Sequence, residues 1–237
     1  MKRALPFLAA LAFSGIASAN PLCTSDTIAN YMTNYTTLAN ACQVGDKLFY
    51  AFNYSGTGSN ATAPTSSQVT VVGDPSNFYE PGLLFSSNLW SVSGTSTIAQ
   101  PLYIDSNISF TVAVVGMVPL IRDASLDFAN HFTVTGQGVA DIGETVTFGG
   151  SIPPISLEVD SNNGPFTDVK EFAPVAFLRV TKNLLVIVPA SLNGPQTGSA
   201  NITEFREGFS EIAREPVSMA LFGSGLIGLA LLRRRRA

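Results

Sequence analysis

The sequence is poor in the residues that catalytic and metal sites use. It holds one histidine, His131, and two cysteines, Cys23 and Cys42. A Ser-His-Asp or Cys-His arrangement would need His131, yet no G-x-S-x-G stretch accompanies it, and an H-E-x-x-H zinc site cannot form with one histidine. We therefore predict no catalytic residue, no metal ligand set and no cofactor, and we interpret His131 as a surface or core residue.

Charge is also scarce, because Asp, Glu, Lys and Arg make up only 13% of the chain. Six of the 13 basic residues lie in the two terminal segments, which leaves seven Lys/Arg against 17 Asp/Glu between Asn20 and Pro216, a formal charge of −10 for the body. Such a body disfavours nucleic acid and anionic membrane surfaces as partners. It tolerates cations and neutral or basic polymers.

Carboxylates are the one catalytic residue type in good supply. Two of them could perform glycoside hydrolysis if they flanked a sugar-binding cleft; the candidates are Asp123, Asp127, Asp141, Glu144, Glu158 and Asp160. In the stretch from Glu158 to Gly164, side chains with oxygen atoms that could bind calcium alternate with other residues. Its glycine is not at the position that the EF-hand motif requires. A tight Asn-Asn-Gly turn is therefore favoured over a calcium loop.

The amino end has the features of a signal peptide. Met1-Lys2-Arg3 is basic, the run to Ile16 is apolar and rich in small residues, and Ala17-Ser18-Ala19 matches the A-x-A pattern of signal peptidase. We predict export and cleavage after Ala19, with signal peptidase as a partner. The run is too short and too rich in alanine for an uncleaved anchor.

Export predicts that Cys23 and Cys42 form a disulfide. The alternative, a metal or redox pair, needs closer spacing or further ligands. Between the cysteines, six apolar residues recur at helical spacing: Ile28, Tyr31, Met32, Tyr35, Leu38 and Ala39. Ser25 or Asp26 is the candidate N-cap of this helix. A helix of about four turns, clipped by the disulfide, is expected.

From Lys47 onward the apolar pattern changes to period 2. About a dozen short strands with frequent turn signals predict an all-β fold, a β-sandwich of many short antiparallel strands, in residues 20–209. The expected strands include Leu83–Ser86, Ile108–Val115, Val175–Val180, Leu184–Val188 and Ile202–Phe209, and Leu192–Ser199 is expected to be a surface loop. No fixed-period repeat is present, which disfavours a propeller or solenoid.

The carboxyl end has three parts. Residues 210–216 form a linker ending in Glu215-Pro216, residues 217–232 are apolar, and Arg233, Arg234, Arg235 and Arg236 follow. Sixteen residues span about 24 Å as a helix, which snorkelling arginines and local thinning can fit to a bilayer. We predict a transmembrane helix in residues 217–237, with the arginines on the cytoplasmic side as the membrane stop and the body outside. A plain membrane anchor is the alternative.

This order resembles the PEP-CTERM sorting signal of Gram-negative bacteria, in which a Pro-Glu-Pro motif, a short apolar span and an Arg-rich end direct processing by an exosortase. The matching residues are Glu215 and Pro216, three glycines in the span (Gly223, Gly225 and Gly228) and the four arginines, while Arg214 replaces the first proline. The resemblance implies an exosortase-like membrane protease as a partner and a transient inner-membrane anchor. The L-P-x-T-G stretch of a Gram-positive wall-sorting signal is absent.

A second resemblance runs through the body. Residues matching a family of PEP-CTERM proteins without an established biochemical activity are Cys23, Tyr31, Leu38, Cys42–Asp46, Phe49, Phe52, Tyr54, Ile121–Leu126 and Glu144–Val146. The resemblance implies a Cys23–Cys42 pair and a single β domain.

Three functions are consistent with these features. The first is an exported protein of the cell surface or extracellular polymer, with a structural or adhesive role and no enzymatic activity. The second is a polysaccharide-binding module that uses exposed aromatics such as Tyr79, Phe85 or Trp90, for which burial in the core is the competing interpretation. The third is a glycosidase-like enzyme.

Overall fold

The computed structural model describes residues 20–74, 76, 80–117, 120–128, 131–162 and 164–211. Several predicted features lie outside these ranges: the signal peptide with Ala19, the sorting motif at Glu215 and Pro216, the transmembrane segment and the four arginines. Tyr79 also lies outside them. Among the helices inside them, none has both the length and the hydrophobicity needed to cross a bilayer.

Almost all regular structure in these ranges is β. The single α-helix is α1 (Ile28–Asn34), and short 3₁₀ turns occur at Leu38–Asn40 and Ser66–Gln68. The strands are β1 (Asp26–Thr27), β2 (Cys42–Val44), β3 (Lys47–Ser59), β4 (Thr70–Asp74), β5 (Gly82–Ser86), β6 (Ser91–Ser96), β7 (Leu102–Val114), β8 (Ile121–Asp127), β9 (Phe132–Gly136), β10 (Val139–Phe148), β11 (Ile155–Asp160), β12 (Thr167–Val175), β13 (Phe177–Val188), β14 (Gln196–Ile202) and β15 (Glu204–Glu211).

These strands form three antiparallel sheets, so the predicted all-β class is confirmed for the described residues. The first sheet has the order β1-β4-β5-β15-β8-β12, the second β11-β10-β13-β7-β3-β2, and the third β6-β14-β9. The longest pairing joins β13 to β7 from Phe177 opposite Ala113 to Val188 opposite Leu102. The two six-stranded sheets therefore carry long, regular strands that can each bury one face.

The core lies between the first and second sheets, in a β-sandwich-like arrangement. Alternate residues of β13 and β7 are buried, as expected for strands with one face on a core. At the centre, Phe110 of the second sheet stacks on Phe85 of the first at 5.7 Å and meets the edge of Phe209 at 6.4 Å. Burial of these rings stabilises the contact between the two sheets.

The predicted four-turn helix is wrong in length, because α1 covers only seven residues. Its N-cap is Thr27 instead of Ser25 or Asp26: the Thr27 hydroxyl accepts from the Asn30 amide at 3.3 Å, while Asp26 accepts from the Asn30 side chain. The helix ends because the Tyr35 carbonyl accepts a hydrogen bond from the amide of Ala51 in β3 at 2.7 Å. A tertiary contact thus stops a pattern that continues in the sequence.

Two further expectations are corrected in the second half of the chain. The predicted surface loop Leu192–Ser199 overlaps β14, the central strand of the third sheet, where Gly198 lies opposite Gly94 and Gly136. A Cβ at Gly198 would lie 2.6 Å from the backbone of Thr135, so glycine permits this close pairing. Strand Ile202–Phe209 is divided at Thr203, whose amide donates to the His131 carbonyl.

The predicted strand Val175–Val180, from Phe177 onward, and the predicted strand Leu184–Val188 belong to a single strand, β13, whereas Val175 is the last residue of β12. The predicted bounds leave a break at residues 181–183, but Lys182 points into the core and Asn183 points outward, so the alternation continues without interruption. At the end of the described chain, β15 runs to Glu211, two residues into the segment expected to be a linker.

Candidate functional site

The outer side of the second sheet is a broad polar surface, which we call the outer polar face. It is formed by the residues of β3, β7, β10 and β13 that alternate with the core positions, since successive side chains of a strand point to opposite faces. Its middle consists of Asn53, Ser55, Thr57, Asp105, Asn107, Thr145, Thr181 and Asn183. All of these side chains can donate or accept hydrogen bonds.

The strand register orders this surface into rows. Asn183 lies opposite Gly143 on one side and Asn107 on the other, and Asn107 lies opposite Ser55. The Asn183 side chain donates to Asp105 at 2.7 Å. Gly143 has no atom within 4 Å of the position a Cβ would take, so the middle of the face is open above the backbone.

One end of the outer polar face leads to an apolar pocket of about 250 Å³. Tyr50, Leu48 and Phe177 line it, together with Leu38 from the 3₁₀ turn after α1. Phe177 is 52% exposed, and a Cβ at Gly149 would lie 3.0 Å from its ring, so the ring rests on a bare glycine. This end of the face therefore places an exposed aromatic ring beside hydrogen-bonding side chains.

The opposite end carries three carboxylates. Asp141 lies opposite Asp160 in the β10–β11 pair, and Glu158 lies opposite Gly143 two residues along. Burial, followed by the charges of Glu158 and Asp160, raises the pKa of Asp141 to about 6. Its Oδ1 has no hydrogen-bond partner within the described chain. In that same part of the chain no group of three His, Cys, Asp or Glu has the arrangement to hold a metal ion.

The other three candidate carboxylates lie elsewhere. Asp123 and Asp127 belong to β8 of the first sheet, where Asp123 accepts from the Ser210 amide at 3.1 Å. Glu144 points into the core. The structure therefore brings Asp141, Glu158 and Asp160 together on the surface of one sheet, and it separates them from the remaining candidates.

A second cluster of charged groups is buried between the two six-stranded sheets; we call it the buried triad. It consists of Lys182 of β13, Glu144 of β10 and Glu207 of β15, each with a fully buried side chain. The Lys182 Nζ donates to Glu144 Oε2 and to Glu207 Oε2. The nitrogen also lies 5.7 Å from the centre of the Phe205 ring. Sequence reasoning did not identify Lys182, because a lone lysine in a strand usually faces solvent.

The remaining residues singled out in the sequence have structural positions. His131 is about half exposed, with Nε2 3.6 Å from a carboxylate oxygen of Glu204. Trp90 and Phe85 are fully buried, so neither is a surface platform, and Trp90 donates to the Ser106 hydroxyl at 3.2 Å. The Glu158–Gly164 stretch ends β11 and turns toward β12, with the Asn162 amide donating to Asp160.

The predicted disulfide between Cys23 and Cys42 is confirmed. Both cysteines are buried in the main core, Cys42 completely. The bond holds the segment before β1 against β2, where the Cys23 amide also donates to the Gln43 carbonyl at 3.1 Å. It therefore fixes the entry of the chain into the fold.

Comparison with known proteins gives no family. No protein-family model matches the chain, and no curated protein matches it. Among solved structures, the carbohydrate-binding module TmCBM61 in complex with beta-1,4-galactotriose matches 65% of this chain and 86% of its own at 14% identity, with a TM-score of 0.28. The Glycosylation Associate Protein (Gap123) complex from Streptococcus agalactiae matches 65% of this chain and 26% of its own at 11% identity, with a TM-score of 0.27. At these scores neither likeness assigns a fold family or a ligand.

Proposed function

We propose that this chain is an exported protein of the cell surface or extracellular matrix, with a structural or adhesive role and without catalytic activity. The observation that carries the proposal is the buried Cys23–Cys42 disulfide, because such bonds form and persist in oxidising compartments outside the cytoplasm. The predicted signal peptide in residues 1–19 supplies the route, and signal peptidase removes it after Ala19.

The carboxyl-terminal segment directs the sorting of the chain in this proposal. In this proposal Arg233 to Arg236 hold the apolar segment in the inner membrane with the body outside. An exosortase-like membrane protease then recognises the region of Glu215 and Pro216 and releases the body. The acidic surface keeps the released body away from anionic membranes, while it leaves contact with neutral polymers free.

Cell fractionation tests this proposal. We compare the wild-type chain with a variant in which Arg233 to Arg236 are deleted, and with a variant in which Arg214 is replaced by proline as a matched control that keeps the tail. The wild type and Arg214→Pro are expected at the surface or in the medium, as a form shortened at the carboxyl end. The deletion variant is expected to remain unprocessed in the cell. Identical release of all three forms would contradict sorting by the tail.

A second candidate function is binding of neutral polysaccharide, and the outer polar face favours it. Its Asn, Ser and Thr side chains can hydrogen-bond sugar hydroxyls, and the exposed ring of Phe177 can stack on a sugar ring. The carboxylates Asp141, Glu158 and Asp160 at the far end disfavour anionic polymers. The ligand class in this proposal is therefore an uncharged glycan chain lying across β13 and β7.

Affinity electrophoresis in gels that contain neutral glucans, neutral galactans or a uronic-acid polymer tests this second proposal. Replacing Phe177 by serine should weaken binding to a neutral polymer about tenfold, since a stacked ring contributes about 1.5 kcal/mol. Phe166, which is 47% exposed and packs against Phe132 away from the pocket, provides the matched control Phe166→Ser. Retention by no neutral polymer, or equal loss in both variants, would contradict the proposal.

A further inference from the structure

The buried triad brings an amine and two carboxyl groups into contact in a place that solvent does not reach. The side chains of Lys182, Glu144 and Glu207 have no exposed surface, and they come from three strands in two sheets. Glu144 lies directly opposite Lys182 in the β10–β13 register, whereas Glu207 reaches the lysine from the facing sheet. The amine therefore contacts a carboxyl group on two sides.

The hydrogen bonding of the two carboxyl groups is incomplete. Oε1 of Glu144 and Oε1 of Glu207 are buried without a partner in the described chain. An ordinary buried ion pair is stabilised only when the remaining lone pairs are also satisfied. Because one ammonium cannot neutralise two carboxylates, one of the two carboxyl groups must hold a proton.

The electrostatics identify which carboxyl group is neutral. Burial, followed by the charge of Glu144, raises the pKa of Glu207 well above its ordinary value, and Lys182 opposes this only in part. Burial alone would lower the pKa of Lys182, but Glu144 and Glu207 outweigh it and raise that pKa. The resting triad thus holds an ammonium at Lys182 and a carboxylic acid at Glu207, and the remaining carboxyl group of the triad balances the charge of the ammonium.

We propose that Lys182 and Glu207 condense to form an intramolecular amide bond between Nζ and Cδ, with Glu144 as the proton acceptor. The Lys182 ammonium first gives a proton to the Glu144 carboxylate in contact with it. The free amine then attacks the Cδ of the neutral Glu207 carboxyl, the C–N bond forms, and the Glu207 hydroxyl leaves as water.

The atoms and charges balance without another reactant. The amide nitrogen keeps one proton, the departing water carries the Glu207 hydroxyl proton and one further proton, and the last proton remains on Glu144. The starting triad holds one positive and one negative charge, whereas the product is uncharged throughout. Loss of both buried charges favours the product, because an ion transferred from water to a protein interior is strongly destabilised.

The surroundings favour this reaction over hydrolysis. Phe205 covers Nζ, and the side chains of the triad are shielded from bulk water on all sides. Contact between the amine and both carboxyl groups is already established by the fold, so the reaction needs no bimolecular encounter. The bond would join β13 of the second sheet to β15 of the first and lock the two sheets together.

Peptide mapping of the reduced full-length protein tests the proposal. Trypsin cleaves after Arg179, Lys182 and Arg206, so an unlinked chain gives peptides 180–182, 183–206 and 207–214. The amide predicts no cleavage after Lys182, and peptide 180–206 joined to 207–214 with a mass lower by one water. Tandem mass spectra should place the link between Lys182 and Glu207. Free peptide 180–182 in full yield, or a link to Glu144 instead, would overturn the proposal.

The chain contains its own control in Lys47. This side chain is also fully buried and contacts Asp46 and Glu211, but those carboxylates are 37% and 18% exposed. Water reaches both of these carboxyl groups, so Lys47 lacks the dry surroundings of the buried triad, and trypsin should cleave after Lys47 in the same digest. A link at Lys47 as well would indicate that contact alone suffices, which contradicts the role given to the buried acid.

Two variants separate the chemistry from the packing. Lys182→Met keeps the length of the side chain and should have its full calculated mass, without the loss of water. Glu144→Gln keeps the shape but cannot take the proton, so the linked fraction should fall at least tenfold while the linear protein still contains Lys182. Full linkage in Glu144→Gln would overturn the assignment of Glu144, and loss of water in Lys182→Met would overturn the site.

Discussion

Replacing Phe110 by alanine should weaken the packing between the two six-stranded sheets and lower the free energy of unfolding. The Phe110 ring is fully buried and lies 5.6 Å from Phe52, 5.7 Å from Phe85 and 6.2 Å from Phe49. Truncation of such a ring removes its burial and leaves a cavity between sheets that cannot close over it, at a cost of about 4 kcal/mol. With a urea dependence of about 2 kcal/mol per molar, the unfolding midpoint should fall by about 2 M.

The chain offers a convenient probe for this measurement. Trp90 is its single tryptophan and is fully buried, so its fluorescence shifts on exposure to water. The matched control is Thr111→Ala, which changes the next residue of β7 on the outer polar face and should alter stability by less than about 0.5 kcal/mol. Equal and small effects of the two substitutions would refute the inference that Phe110 joins the sheets.

Two further predictions concern the ends of the fold and its surface. Replacing both Cys23 and Cys42 by serine should lower the free energy of unfolding by about 3 kcal/mol, because the bond closes a loop between residues 19 apart; urea midpoints with and without reductant check this, and an unchanged midpoint would contradict it. Asp141 should make stability fall as pH rises from about 4 to about 6, since its folded pKa of about 6 lies above its unfolded value and unfolding releases the proton in that window. Asp141→Asn should flatten this slope, whereas Asp105→Asn, which keeps Asp141, should not; equal slopes in wild type and Asp141→Asn would contradict the assignment.

The fold class was predictable because it depends on local alternation. The period-2 pattern around Phe110 and the turn signals between strands follow directly from the burial of one face of each sheet. The disulfide was predictable from the sequence as well, since the predicted export signal and a single pair of cysteines leave few alternatives.

The errors in the sequence interpretation have tertiary causes. The helix was predicted too long because its end depends on a hydrogen bond from Ala51 in β3 to Tyr35, which the sequence around α1 does not contain. Strand β13 was predicted in two pieces because Lys182 interrupts the apolar pattern, and only Glu144 and Glu207, distant in sequence, allow it to point inward. The polar sequence of β14 shows no alternation of apolar and polar residues. Its pairing depends on Gly198, which allows neighbouring backbones to approach closely.

The outer polar face could not be predicted from the sequence either, because it too depends on tertiary contacts. The aromatic residues expected as platforms, Phe85 and Trp90, are buried, while Phe177 is exposed at the start of a strand that is otherwise regular. Exposure of one ring among many depends on what covers each face. Only the strand order, which places β13 between β10 and β7, shows that Phe177 and the polar rows share one surface.

The claim that the body works outside the cytoplasm is tested most directly by the thiol state of Cys23 and Cys42 in cells. Whole cells that express the chain, or a variant lacking residues 2–19, are quenched with acid and treated with a thiol-blocking reagent before mass analysis. We predict that both cysteines of the intact chain are protected from the reagent as a disulfide, and that both react in the variant retained inside. Two reactive thiols in the intact chain would contradict the account.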